Sequence, residues 1–374
     1  MKVLFYLGHP AHFHLFKNVI KKLKDDNHEV IIIIRKKDVL EDLLNNTGWD
    51  YFNFMPKGRK DNKVSIALGL FKRSLKMFSF CLKNKPDLML GYSTEITHIG
   101  KLLNIPSIIV NEDDYTVTTL FAKLGHPFAS NIMAPNSCAT GPENGKWENK
   151  SIHYSGYHEL AYLIPEYFKP DIGKISERID TSKPFYILRF AKLAAHHDVG
   201  ITGINDSFAK DIISLLKPFG NVYITSEREL EPEFEPYRLQ IDSNDIHHAL
   251  YFASMYIGDS QTMAAEAAVL GTPSLRFNDF VGKIGYLEEL EHKYKLTFGI
   301  KTSEPQKLLN RIKEFIDNPE LKKEWETHRL KMIEDSINVT SFMVWVIENY
   351  PESVMTLKRE PEFENEFRIK KVNY

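Results

Sequence analysis

Cysteine is nearly missing from this chain: Cys81 and Cys138 are its only two, far apart among 374 residues. They give no disulfide framework and match no zinc-ligand spacing, so a reducing cytoplasm is the expected home. Excess charge is missing as well, with a formal net charge of -2 at pH 7. No global field therefore favours nucleic acid or acidic lipid. No apolar run approaches the ~20 residues of a membrane span. The opening apolar run, residues 3–7, is too short and strand-like for a secretion signal, because Gly8 ends it. Internal repeats and low-complexity tracts are absent.

What is present is a globular composition on a chain too long for one ordinary core, with 43% hydrophobic and 26% charged residues. Residues 3–7 read as a strand, Leu15, Phe16, Val19, Ile20 and Leu23 recur at helical spacing, and residues 30–34 read as a second strand. That βαβ rhythm continues with helices expected at 38–46, 64–83 and 95–103 and strands at 51–54, 87–90, 108–110 and 131–135. It restarts beyond Pro165 and Pro170, with strands at 185–188, 221–225, 255–257 and 273–277. The pattern predicts an α/β protein built on parallel sheets covered by helices. The helix at 64–83 follows a basic loop at 57–63 and carries Lys72, Arg73 and Lys76. It reads as a sheet-covering helix with a solvated basic edge; the alternative is a helix lying on a membrane surface.

The most informative stretch is Gly258-Asp-Ser-Gln-Thr-Met-Ala-Ala-Glu266, followed by Leu270-Gly-Thr-Pro273. A strand that feeds a helix through a glycine turn leaves backbone N–H groups pointing beyond the sheet. Ser260, Gln261 and Thr262 stand at that helix start, where hydroxyls add donors for a phosphate. Glu266, one turn beyond Thr262, is placed to accept from a ribose diol. The plainer reading is an N-cap followed by a solvated glutamate. The segment resembles the nucleotide-diphosphate motif of GT-B glycosyltransferases and UDP-GlcNAc 2-epimerases. In those families a Ser- or Gly-containing turn leads into a helix with Glu in its second turn, then Leu-Gly-x-Pro.

In open parallel sheets, ligands sit beyond the carboxyl ends of the strands. That rule brings residues 8–14, 92–95 and 111–114 to one edge. His9, His12 and His14 are the densest histidine cluster. A loop histidine, with an ordinary pKa of about 6.5, is a candidate general base. His9 and His12, ahead of the helix, are the expected ones; capping that helix or packing at a domain interface is the alternative. Their spacing fits no zinc signature, so no metal is expected. In the second half, Arg189 and Lys192 lie just past a strand end, where positive charge suits a departing diphosphate. A salt bridge to a neighbouring acid is the competing role. His196-His-Asp198 can order the same loop.

Three segments carry a wider resemblance: His9-Pro-Ala-His-Phe-His-Leu-Phe-Lys-Asn18, Gly156-Tyr-His-Glu-Leu-Ala-Tyr-Leu163 and the Gly258 turn. They are similar to the domain-of-unknown-function 354 family, which is close to the UDP-GlcNAc 2-epimerases and GT-B transferases. The resemblance implies a GT-B-like fold of two Rossmann-like, doubly wound domains facing each other across a cleft. Residues 1–165 would be the acceptor and catalytic domain, 166–340 the nucleotide-sugar domain, and 341–374 a helix crossing back with a charged tail. It also matches Glu112, in Val110-Asn-Glu-Asp, to the glutamate of the epimerases' Val-Glu-Ala-Gly stretch, adding a third catalytic candidate. His247 would lie near the nucleotide base. Two departures count against 2-epimerase chemistry: Gly8-His9-Pro10 replaces a Gly-Thr-Arg-Pro-Glu loop, and Tyr92 stands where those enzymes carry Asp. The implied activity is metal-independent glycosyl transfer from a nucleotide-sugar to a glycan or lipid-linked acceptor. A nucleotide-sugar epimerase or hydrolase and a non-catalytic binder are the alternatives. No cofactor is expected besides the donor substrate, and peripheral contact with the inner face of a membrane is compatible with this role.

Overall fold

The structure, a computed structural model, describes residues 1–35, 39–54, 63–192 and 203–370, with side chains from Arg73 onward in the helix that begins at Lys63. Lys57, Arg59 and Lys60 of the basic loop, and His196, His197 and Asp198, lie outside the described residues. The chain divides into two compact units, Met1–Tyr167 with Ser336–Lys370, and Phe168–Asp335.

The first unit runs β1 (Lys2–Leu7), α1 (Pro10–Asp25), β2 (Glu29–Ile34), α2 (Leu40–Asn45), β3 (Phe52–Asn53), α3 (Lys63–Asn84), β4 (Leu88–Gly91), α4 (Thr94–Leu103), β5 (Ser107–Val110), α5 (Thr119–Gly125), β6 (Asn131–Pro135), β7 (Ser151–Tyr154) and α6 (Leu160–Leu163). Its seven strands lie in the order β3-β2-β1-β4-β5-β6-β7, and every pairing is parallel. Parallel strands covered on both faces need apolar residues at every position. Val3, Leu4, Phe5 and Leu7 meet that need, all fully buried. Helix α1 begins on His9 with Pro10 at its first turn, where the missing N–H is harmless, and it buries Phe13, Phe16, Val19, Ile20 and Leu23.

The second unit runs β8 (Phe185–Phe190), α7 (Asp206–Leu216), β9 (Asn221–Ser226), α8 (Ile246–Phe252), β10 (Met255–Gly258), α9 (Gln261–Leu270), β11 (Ser274–Phe277), α10 (Gly285–His292), β12 (Thr297–Ile300), α11 (Pro305–Ile316) and α12 (Leu321–Glu334). Its parallel sheet has the order β12-β11-β10-β8-β9. The order reverses between β1 and β4 in the first sheet and between β8 and β10 in the second. Such reversals open a crevice above the carboxyl ends of the strands, the place where α/β proteins hold ligands.

Two further helices, α13 (Val339–Glu348) and α14 (Glu352–Arg359), close the chain onto the first unit. Thr340 Oγ1 donates to the carbonyl of Ala161 at 2.7 Å. The charged end of the chain is held against the first unit through Arg368. Phe363 stacks on Trp345 at 4.7 Å, and the Glu364 carboxylate accepts from Ser155 N and Oγ at 2.8 and 2.7 Å. Aromatic residues placed three and four apart supplied an apolar stripe that the surrounding charges concealed.

Candidate functional site

In the first unit, the carboxyl edge of the sheet carries a continuous arc of polar side chains. His9 caps α1, its Nδ1 accepting from Ala11 N at 3.2 Å, while His12 Nδ1 accepts from Gly8 N at 3.1 Å. A neutral imidazole has one lone pair, and in both rings a backbone amide takes it. In the neutral rings the proton then sits on Nε2, an arrangement that does not favour the general-base role expected of His9 and His12. His14 lies buried against Tyr162, ring centroids 5.3 Å apart.

The His12 ring meets Tyr92 edge-on at 5.9 Å, and Tyr92 stacks on Phe121 at 3.9 Å. Burial, and then the charge of Asp113, raise the Tyr92 hydroxyl far above its ordinary pKa. Tyr92 is thus a neutral wall of the site. Beyond it comes Glu112, just after β5, whose Oε2 lies 2.9 Å from Nδ1 of His158, just after β7. The pair is close enough for a charge contact but off the line of a good hydrogen bond. Oε2 of Glu112 and Nε2 of His158 are buried without a hydrogen-bond partner among the described residues. Buried polar atoms left in that state are rare and point to a ligand, a water or a reactive role. Cys138 Sγ donates to the Glu112 carbonyl at 2.7 Å, fixing the loop that carries the carboxylate.

His158 was missed as a candidate. It sits inside the Gly156-Tyr-His-Glu stretch, but nothing local in that stretch points toward Glu112.

In the second unit, one rung of the sheet sets the site. Thr225, Arg189, Gly258, Arg276 and Gly299 stand opposite one another across β9, β8, β10, β11 and β12. Gly258 is required there, since a Cβ would lie 2.4 Å from Tyr256 Oη and 2.7 Å from Arg189 Cβ. Asp259 follows, buried, its Oδ1 accepting from Ala191 N at 2.6 Å and Oδ2 from Ile204 N at 3.2 Å. Burial pushes its pKa up to about 6, against the pull of those two amides. Ser260 then caps α9, Oγ accepting from Met263 N at 3.5 Å. The N–H groups of Gln261 and Thr262 fall in the first turn, which a helix's own ladder leaves open. Gln261 Oε1 is buried with no hydrogen-bond partner among the described residues.

Other expectations shift. Arg189 donates through Nη1 to Thr225 Oγ1 at 2.8 Å and pairs through Nη2 with Glu227, which partly neutralises its charge. Lys192 is exposed, and its backbone N–H reaches Glu227 Oε2 at 3.2 Å. His247, expected against a nucleobase, is buried instead, its Nε2 2.9 Å from Glu266 Oε1. Glu266 is accordingly a buried group oriented by a histidine, not a solvated one. Arg276 was missed too; it is fully buried, with Nη2 2.5 Å from Glu291 Oε2 and with Nε and Nη1 lacking hydrogen-bond partners among the described residues. A lone cation inside the apolar strand Ser-Leu-Arg-Phe was its signal. Among the described residues no group of three or more His, Cys, Asp or Glu could hold a metal.

Two parallel α/β sheets, each with polar groups at its switch point, define a GT-B-type fold. Residues 1–337 match the family described as Protein of unknown function (DUF354), and the chain belongs to that family. Among curated proteins, none matches it in sequence. Its fold is similar to that of a putative UDP-N-acetylglucosamine 2-epimerase from Listeria monocytogenes, with a TM-score of 0.68 at 14% identity over 100% of this chain and 99% of that one. It is also similar to UDP-GlcNAc 2-epimerase from Neisseria meningitidis bound to UDP-GlcNAc, with a TM-score of 0.62 at 14% identity over 95% and 100% of the two chains. A spinosyn rhamnosyltransferase complexed with thymidine diphosphate aligns with a TM-score of 0.62 at 13% identity, covering 93% of this chain and 100% of its own.

Proposed function

We propose that this protein is a glycosyltransferase that uses a nucleotide-sugar donor. The second unit holds the donor. Its diphosphate lies on the open amides of Gln261 and Thr262 and the Ser260 hydroxyl, where the helix dipole favours negative charge. The ribose diol donates to Glu266, which His247 keeps in place. Arg189 and Lys192 add positive charge beside the leaving group, with Glu227 moderating the first.

The first unit supplies the base. The single observation that carries this reading is the buried Glu112–His158 contact with His158 Nε2 left unpartnered. The Glu112 carboxylate favours the proton on Nδ1 and leaves the lone pair on Nε2. The His158 side chain is 11% exposed, although Nε2 itself is buried. In the reaction, the acceptor hydroxyl gives its proton to Nε2 while its oxygen bonds to the anomeric carbon. The bond from that carbon to the diphosphate oxygen breaks, and the nucleoside diphosphate leaves with the electron pair.

An epimerase reading has one specific support, the match of Glu112 to an epimerase glutamate. Tyr92 opposes it, because a phenol that keeps its proton cannot serve for the missing carboxylate. Incubation with UDP-, GDP-, CMP- and dTDP-sugars, with and without glycan acceptors, separates the readings. Transfer predicts free nucleotide only when acceptor is present. Conversion of intact donor to its epimer, or release without acceptor, would refute it.

A further inference from the structure

We infer that Tyr256 is a positioning residue for the donor turn, its hydroxyl orienting and polarising the peptide whose N–H meets the diphosphate. The inference rests on the donor reading above, in which that turn seats a diphosphate. Tyr256 lies in the middle of β10, paired with Ile187 of β8 on one side and Ser274 of β11 on the other, and it is fully buried. A central parallel strand takes apolar residues at such a position. Phenylalanine would fill it without burying a hydroxyl, so the hydroxyl needs a reason. Its Oη donates to the carbonyl oxygen of Ser260 at 3.1 Å, four residues further on. Gly258 leaves room for that reach, since a Cβ there would collide with both Oη and Cζ of Tyr256.

The accepting carbonyl belongs to the peptide that links Ser260 to Gln261. A trans peptide is planar, so its C=O and N–H point in opposite directions. A bond that holds the oxygen toward the buried ring therefore holds the Gln261 N–H away from it. Helix α9 supplies another donor to this oxygen, Ala264 N, but that bond is long at 3.3 Å. Burial raises the Tyr256 hydroxyl well above its ordinary pKa, so it remains a donor wherever the protein is folded near neutral pH. Donation into a carbonyl also draws electron density from the amide of the same peptide, and inside a protein the bonds of such a chain strengthen one another. The Tyr256 hydroxyl, the Ser260–Gln261 peptide and a phosphate oxygen then form one run of aligned dipoles. At the same turn Gln261 Oε1 is buried with no hydrogen-bond partner among the described residues, a second mark of a place built to receive a polar ligand.

Tyr256→Phe removes the hydroxyl and keeps the ring. Calorimetric titration of inorganic pyrophosphate, and of UDP, GDP, CMP and dTDP, compares it with the wild type. Pyrophosphate and the nucleotide that binds should each lose about fivefold to tenfold in affinity, with thermal unfolding within a few degrees of the wild type. In nitrogen–proton correlation spectra of the unliganded protein, the Gln261 amide nitrogen should move upfield while that of Thr262 stays in place. Loosened packing would not confine its effect to one peptide in this way. Equal pyrophosphate affinity in the two proteins, an unmoved Gln261 signal, or a wild type that binds no pyrophosphate overturns the inference. Pyrophosphate bound and weakened, with no nucleotide bound, would keep the inference and fail the donor reading. A nucleotide held equally by both proteins would do the reverse.

Discussion

Nε2 of His247, in the first turn of α8, lies 2.9 Å from Oε1 of Glu266, in the second turn of α9, and both side chains are buried. The pair joins two helices that pack against each other above β10 and β11. Deleting one partner removes this bond from a buried pair. Glu266→Ala should therefore cost about 2–3 kcal/mol in urea unfolding, while Glu266→Gln, which can still bond the imidazole, should cost about 1 kcal/mol or less. Equal losses for the two substitutions would deny the pair its structural part.

Asp259 gives a pH signature. Its folded pKa is raised from 3.8 to about 6, so the folded state holds a proton that the unfolded chain releases between those values. The stability from this group is fully present below pH 3.8 and is lost as pH rises through about 6. Urea unfolding at pH 5.0 and 7.5 should differ for the wild type, and Asp259→Asn should remove about 1–1.5 kcal/mol of that difference. A pH dependence identical in both proteins would mean that Asp259 ionises like an exposed carboxylate.

Gly258→Ala should destabilise the second unit by about 1–3 kcal/mol. The added methyl would meet Tyr256 Oη and Arg189 Cβ inside normal contact distance. Adding Tyr256→Phe, which removes the nearer atom, should recover part of the loss in thermal unfolding. No recovery would put the strain elsewhere.

For the base, His158→Gln should lower turnover about 10²–10⁴-fold while nucleotide affinity, measured by calorimetry, stays within about twofold. Glu112→Gln should lower turnover less, since Glu112 acts through the imidazole. Unchanged turnover in His158→Gln would return the base to another group.

Much of the architecture was legible because parallel strands and their covering helices write their periods directly into the chain. Residues 3–7 and 30–34 could be little else, and Gly258 followed by Ser260 marked a strand-to-helix turn with a cap. What stayed hidden depends on residues distant in sequence. Glu112 and His158 meet only because β5 and β7 share a sheet, and Arg189 finds Glu227 only through the pairing of β8 with β9. The histidines after β1 were visible, but their hydrogen-bonding state was not. The tautomer is fixed by where the amides of Gly8 and Ala11 point. Short elements, α5 and β12 among them, escaped because four to seven residues carry too little period to register.

The most direct measurement is calorimetric titration of UDP, GDP, CMP and dTDP into the wild type and into Glu266→Gln. One of these nucleotides should bind the wild type, and the substitution should weaken it about tenfold or more with the fold intact. Absence of binding by all four, or equal affinity in the two proteins, would contradict a donor site in the second unit.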